Sequence, residues 1–175
     1  MKKLATIAAA LVLAGCAGSV DVAPGGWFSV VDAAGTQLYT ASGDGLECRA
    51  GADMDDTPFL RVEFHPLDGD APGYLRFTVG GYAPGSNVYG PPHSVVNEGE
   101  TIHRGWDAEW RPLGTDGPPY LTSGSTGDCQ LRLDAGEEIV TGRFRCAPMA
   151  GWEEAGEVSI SDGGFACVPA RNAAP

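Results

Sequence analysis

The chain has 175 residues and a formal net charge of −12, with 23 acidic side chains against 11 basic ones. This length suits a single domain with a real hydrophobic core. The charge argues against binding to DNA, RNA or anionic lipid surfaces, because a strongly acidic protein is repelled by all three.

The first fifteen residues have the layout of a secretory signal. Lys2 and Lys3 give a positive start, the run 4–13 is almost wholly apolar, and small residues follow it. The run is too short for a transmembrane helix, which needs about 20 apolar residues, and no later stretch is as long and apolar. We expect residues 1–15 to be removed, which leaves nine arginines, no lysine and a formal charge of −14.

The end of this segment, Leu13-Ala14-Gly15-Cys16, resembles the lipobox of bacterial lipoproteins. The resemblance implies that Cys16 receives a diacylglyceryl group, that the chain is cut before it, and that palmitate-type acyl chains anchor it to a membrane. Each buried CH₂ contributes roughly 0.8 kcal/mol, so two or three chains hold the protein lastingly. Residues 16–25 then form a lipidated tether. Because no Asp follows Cys16, the resemblance favours the outer membrane in a cell that has one. The alternative is an ordinary signal peptide with a cysteine nearby by chance.

The mature chain predicts an all-β fold, with residues 26–169 as one antiparallel sandwich or barrel-like domain and residues 170–175 as a loose tail. The chain holds 26 Gly and 13 Pro, helical periodicity is missing, and short alternating runs lie between turn clusters. The segment 81–119 is rich in Gly, Pro and Asn and is predicted to form long loops. The predicted strands are Trp27–Val31, Gln37–Thr40, Leu46–Cys48, Phe59–His65, Tyr74–Val79, Thr101–His103, Glu109–Arg111, Cys129–Asp134, Glu138–Cys146, Glu157–Ser161 and Phe165–Val168.

Four cysteines follow Cys16, and an even number in an exported chain predicts two disulfides. They are Cys48, Cys129, Cys146 and Cys167. If Ala135-Gly136 forms a two-residue hairpin turn, Cys129 lies opposite Gly142 and about 13 Å from Cys146. A disulfide needs Cα atoms within about 7 Å, so this register disfavours a Cys129–Cys146 bridge. Cys48 would then pair with Cys129 or with Cys146, unless the register is different.

The carboxy-terminal half contains three Gly-aromatic motifs, Gly80-Gly81-Tyr82, Gly142-Arg143-Phe144 and Gly163-Gly164-Phe165. In this respect it is similar to a group of small exported, β-rich bacterial lipoproteins of unknown function, in which such motifs follow a central strand, a hairpin and a closing hairpin. The resemblance implies a β-sandwich or barrel-like fold. It implies no catalytic residue and no cofactor.

The leading functional hypothesis is a cell-envelope lipoprotein with a binding or structural role and no enzymatic activity. Its membrane contact would be the lipid on Cys16, and its partner an unidentified envelope protein or glycan. No metal is predicted: Asp53, Asp55 and Asp56 crowd one loop and residues 68–70 another, but neither has the spacing of a calcium loop. Such residues are typical of polar turns.

Two alternatives remain open. Trp106 and Trp110 are four residues apart and would share one face of a strand, where they either stack on sugar rings as a carbohydrate-binding module or belong to the core. A secreted hydrolase would instead assemble a site in the 81–119 loops from His93, His103 and nearby carboxylates. Each histidine is isolated in sequence, and His65 falls on the polar side of its strand, which favours exposure to solvent.

Overall fold

The computed structural model describes residues 23–65, 73–91, 93–97, 100–112, 120–121, 128–150 and 156–171. Within them the protein is almost entirely β, as predicted, with one short 3₁₀ turn at Gly43–Gly45. No described segment is a helix with the length and apolar character needed to cross a bilayer. The strands are β1 Gly25–Asp32, β2 Gly35–Ser42, β3 Leu46–Ala52, β4 Pro58–Phe64, β5 Tyr74–Gly80, β6 Gly85–Tyr89, β7 His93–Asn97, β8 Glu100–Arg111, β9 Tyr120–Leu121, β10 Asp128–Ala135, β11 Val140–Ala150, β12 Glu157–Cys167 and β13 Ala170–Arg171.

The strands form two layers that pack face to face. The first layer has the order β13-β3-β4-β5-β8, with β7 paired to one end of β8. The second has the order β6-β10-β11-β12-β1-β2, and the short strand β9 links the layers by pairing with both β8 and β11. The pairings are antiparallel except that of β13 with β3. The predicted single sandwich domain is therefore confirmed.

Aromatic rings from both layers interlock to form the core. Phe64 on β4 lies 5.8 Å from Phe144 on β11, measured between ring centroids, and Phe77 on β5 lies 5.2 Å from the same ring. Trp110 on β8 meets Phe28 on β1 edge to face at 5.2 Å. Such pairs contribute about 0.5–1.5 kcal/mol each beyond the burial of their area. The alternating pattern of each strand thus places one apolar face between the layers.

The three strands in which apolar and polar residues alternate most clearly form where the sequence predicted them. They are β4, β5 and β10. Two predicted breaks are absent. Thr101–His103 and Glu109–Arg111 both lie within β8, and the closing hairpin expected around Gly163-Gly164 is one continuous strand, β12. An irregularity at Ser161-Asp162, where the pairing to β1 skips a residue, bends this strand without ending it.

The prediction of long loops over 81–119 is wrong for much of that segment, because β6, β7 and β8 lie there. Gly90 and Pro91 separate β6 from β7, but these two strands have only five residues each and no clear alternating pattern. The predicted tail also differs from the structure. Ala170 and Arg171 pair with Arg49 and Ala50 of β3.

Two disulfides join Cys48 to Cys167 and Cys129 to Cys146, with Cα separations of 6.2 Å and 4.0 Å. Two bridges were predicted, but the argument against Cys129–Cys146 was wrong. Ala135 pairs with Val140, so the turn contains four residues instead of two, and Cys129 lies directly opposite Cys146. The backbone N–H of Gly136 donates to the carbonyl of Ile139 at 2.9 Å and closes this longer turn.

Candidate functional site

Trp106 and Trp110 share a face of β8, as their spacing predicts, but that face is the core. Each is 1% exposed. Trp106 packs edge to face on Phe77 at 5.7 Å, and Trp110 packs on Phe28. The hypothesis that these two tryptophans contact a carbohydrate is therefore wrong, because neither ring can reach a ligand in solvent.

His93 and His103 lie on paired strands, where His93 is opposite Arg104 and Ser94 is opposite His103. The side chains of these residues fall outside the part of the structure that is described, so a hydrolase site around them stays a hypothesis. His65 is partly exposed, with its Nε2 at 3.6 Å from a carboxylate oxygen of Glu63. This agrees with its predicted place on the polar side of the strand.

The acidic loop after β3 is a polar turn. The Asp53 carboxylate accepts hydrogen bonds from the backbone N–H groups of Asp55 and Thr57, both at 2.9 Å. Its oxygen is therefore used to close the turn. The second acidic loop, 68–70, lies outside the described residues. Among the residues that are described, no three His, Cys, Asp or Glu side chains come together in a way suited to a metal ion.

The outer face of the second layer carries a row of side chains that sequence reasoning did not single out. Cross-strand register aligns them one after another, and we call them the arginine–tryptophan row. Over six strands spaced about 4.8 Å apart, the row is about 24 Å long. In order from β6 to β2, its members are Val88, Arg132, Arg143, Gly164, Trp27 and Thr40.

Gly164 allows the centre of the row to form. A Cβ built on it would lie 3.1 Å from Cδ of Arg143 and 3.4 Å from Nε1 of Trp27, so both side chains lie over this glycine. The Arg143 guanidinium stands 5.1 Å from the centroid of the Trp27 ring, a cation–π contact. It also donates to Asp162 at 3.1 Å.

The next row along the same strands carries mostly small side chains, and its four central members form the floor of a shallow groove. We call it the small-residue row. The groove has a volume of about 550 Å³ and is walled on one side by Trp27, Arg132 and Arg143. The small-residue row consists of Ser86, Asp134, Thr141, Ala166, Gly25 and Ser42.

The outer face of the first layer is polar as well, but its charges neutralise one another. Tyr74 and Arg76 of β5 both donate hydrogen bonds to the carboxylate of Glu109 on β8, and Arg76 and Arg111 stack on the Tyr74 ring at 5.5 and 5.7 Å. Burial raises the pKa of the Tyr74 phenol, and its hydrogen bond to Glu109 acts in the same direction. Within this cluster Tyr74 and Arg76 are paired with Glu109, whereas Nε of Arg111 is buried without a hydrogen-bond partner among the described residues.

A larger opening, of about 1310 Å³, lies at the end of the sandwich where the chain enters the fold at Pro24. Its walls are mainly turn residues, including Tyr82, Ile139 and Val168, with Glu137 and Glu138 beside them. Ala135 and Val140 are register partners in its wall, but most of its lining lies outside the strands. The groove on the outer face of the second layer is therefore the stronger candidate site.

Comparisons with protein-family models, curated proteins and solved structures find no match to this chain. The candidate site therefore rests on the geometry of the groove alone. Part of it was visible in the sequence: Arg132, Arg143 and Arg145 occupy the polar positions of two alternating strands. The register between the strands could not be predicted from the sequence. This register places Arg132 opposite Arg143 and aligns both with Trp27.

Proposed function

We infer that this protein is a lipid-anchored binding protein of the bacterial cell envelope. The observation that carries the proposal is the position of Leu13-Ala14-Gly15-Cys16, immediately after a basic start and an apolar run. The two disulfides support an oxidising compartment independently of that motif, because such bonds persist mainly in exported proteins.

A binding role is favoured over catalysis by the shape of the candidate site. The groove is shallow and open along the outer face of a sheet, and its floor is made of small residues. Enzymes gain from excluding water around the reacting atoms, and an open groove does not exclude it. An extended surface lined by arginine, threonine and tryptophan suits recognition of a long ligand.

Replacement of the acylated cysteine tests the anchor. Cells fed an alkyne-tagged fatty acid should label the wild-type protein, and Cys16→Ser should carry no label and should move from the membrane fraction to the soluble fraction. Ser19→Ala, which changes the tether without touching the thiol, should label normally. The proposal fails if mass spectrometry of the wild-type amino terminus finds an unmodified cysteine or an intact initiating methionine.

A further inference from the structure

The groove on the second layer has an electrostatic character that is unusual for this protein. Arg132 and Arg143 are directly opposite each other on β10 and β11, and like charges in that relation destabilise a sheet. Arg145 lies two residues further along β11. The described contacts give Arg143 an ion pair with Asp162, and among the described residues Arg132 has no ion pair. A positive patch thus lies on a mature chain with a formal charge of −14.

The first layer offers a direct comparison. Arg49 and Arg61 are also opposite each other, on β3 and β4. There, however, Arg49 pairs with Glu47 at 3.0 Å, and Asp107 is close enough for Arg61 to influence its titration. Carboxylates therefore share that face with its arginines. In and beside the groove, Asp134 and Asp162 supply two carboxylates against Arg132, Arg143 and Arg145. Positive charge therefore remains in excess there, which favours compensation by an anionic ligand.

The remaining groups in the groove indicate the chemistry of that ligand. Trp27 places a partly exposed aromatic ring beside Arg143. Thr40, Thr141 and Asp134 bring hydroxyl and carboxylate groups to the same groove. Aromatic rings stack on the apolar faces of sugars, and hydroxyls and carboxylates match sugar hydroxyls. Arginine binds a carboxylate with two parallel hydrogen bonds.

We propose that the groove binds an extended anionic glycan whose sugars carry carboxylate groups, an assignment that rests on the envelope role inferred above. Sugar rings lie against Trp27 and over the small-residue row, and sugar carboxylates meet Arg132 and Arg143. A peptide that adds a strand needs a free sheet edge, whereas this groove crosses the face of five paired strands, β10, β11, β12, β1 and β2.

Calorimetry on the full-length protein, purified in a nonionic detergent, tests the assignment with probes of matched length. The probes are oligomers of galacturonate, glucuronate and mannuronate, the methyl-esterified form of each, and an oligoglutamate. At least one uronate should bind, with its methyl ester weakened about tenfold or more, as expected when a charged hydrogen bond is lost. The oligoglutamate should bind far more weakly than that uronate.

Variants then locate the site. R132Q/R143Q should lower uronate affinity about tenfold or more, whereas R49Q/R61Q, which removes the same charge from the opposite outer face, should leave it unchanged. Trp27→Ala should weaken binding about fivefold. Trp27→Phe should keep most of the affinity and abolish the fluorescence change that the uronate causes in the wild type. Circular dichroism spectra matching the wild type would establish that each variant is folded.

Three results would overturn the assignment: no binding to any uronate, equal binding to oligoglutamate, or an equal loss in the two double-arginine variants. The second would reduce the groove to a site of general polyanion attraction, and the third would place the effect in net charge. None of these results bears on acylation of Cys16, which is measured separately, so the glycan assignment and the lipid anchor can fail independently.

Discussion

Individual glycines make room for large side chains of neighbouring strands on the core face of a layer. Gly142 on β11 faces the core, and a Cβ built there would overlap the Phe165 ring and lie 3.0 Å from Cδ2 of Leu133. We expect Gly142→Ala to destabilise the protein by about 1–3 kcal/mol, since overpacking forces rings and backbone to move. Thermal unfolding followed by circular dichroism would measure this. Gly90→Ala is the matched control, because a Cβ there meets no atom within 4 Å. Equal melting temperatures for the two variants would contradict the packing argument.

Single residues also show which side-chain positions a local sequence pattern can predict. The spacing of Trp106 and Trp110 places both on one face of the strand. The residues between them, Asp107-Ala108-Glu109, indicate that this face is the buried one. The two charged residues point to the opposite face, and Ala108 is buried together with the two tryptophans. That local signal favoured the core. Trp27 gave no comparable signal, since its neighbours across the sheet are far away in sequence.

The disulfides constrain elements at very different separations. Cys48–Cys167 connects β3 in the first layer to β12 in the second across 119 residues of sequence, whereas Cys129–Cys146 joins neighbouring strands across 17. Loop-closure entropy predicts about 4–5 kcal/mol for the first and about 3 kcal/mol for the second. We therefore expect C48A/C167A to melt at a lower temperature than C129A/C146A, with a fall of about 10 °C or more from the wild type. Calorimetry of both double variants would test the order. A larger fall in C129A/C146A would contradict it.

The disulfide pairing was mispredicted although β10 itself was predicted correctly, because a strand and its register depend on different information. Alternation of Leu131 and Leu133 with polar residues fixes which face of β10 is buried, and it does so locally. The pairing to β11 depends on the length of one turn, and a turn of four residues instead of two moves every partner. The same limit applies to the groove, whose two rows exist only through the register of six strands.

At the scale of the whole molecule, the formal charge of −12 is spread over a chain with few compensating ion pairs among its described residues. The pairs Arg49–Glu47 and Arg143–Asp162 are about half exposed or more, and exposed pairs contribute only about 0–1 kcal/mol. The repulsion among the excess carboxylates is therefore larger in total than the attraction within these few pairs. Screening by salt reduces both, but it reduces the larger repulsion by more.

We accordingly expect the melting temperature of the purified protein to rise by a few degrees as NaCl increases from low concentration to about 0.2 M, where the Debye length falls below about 8 Å. The rise should then level off and should be the same in KCl, because screening depends on ionic strength and not on the identity of the cation. A steady further rise up to about 1 M would indicate exclusion of salt from the protein surface instead. A melting temperature that falls over the first interval would mean that specific ion pairs outweigh the net repulsion, and that the acidic surface is better compensated than its charge implies.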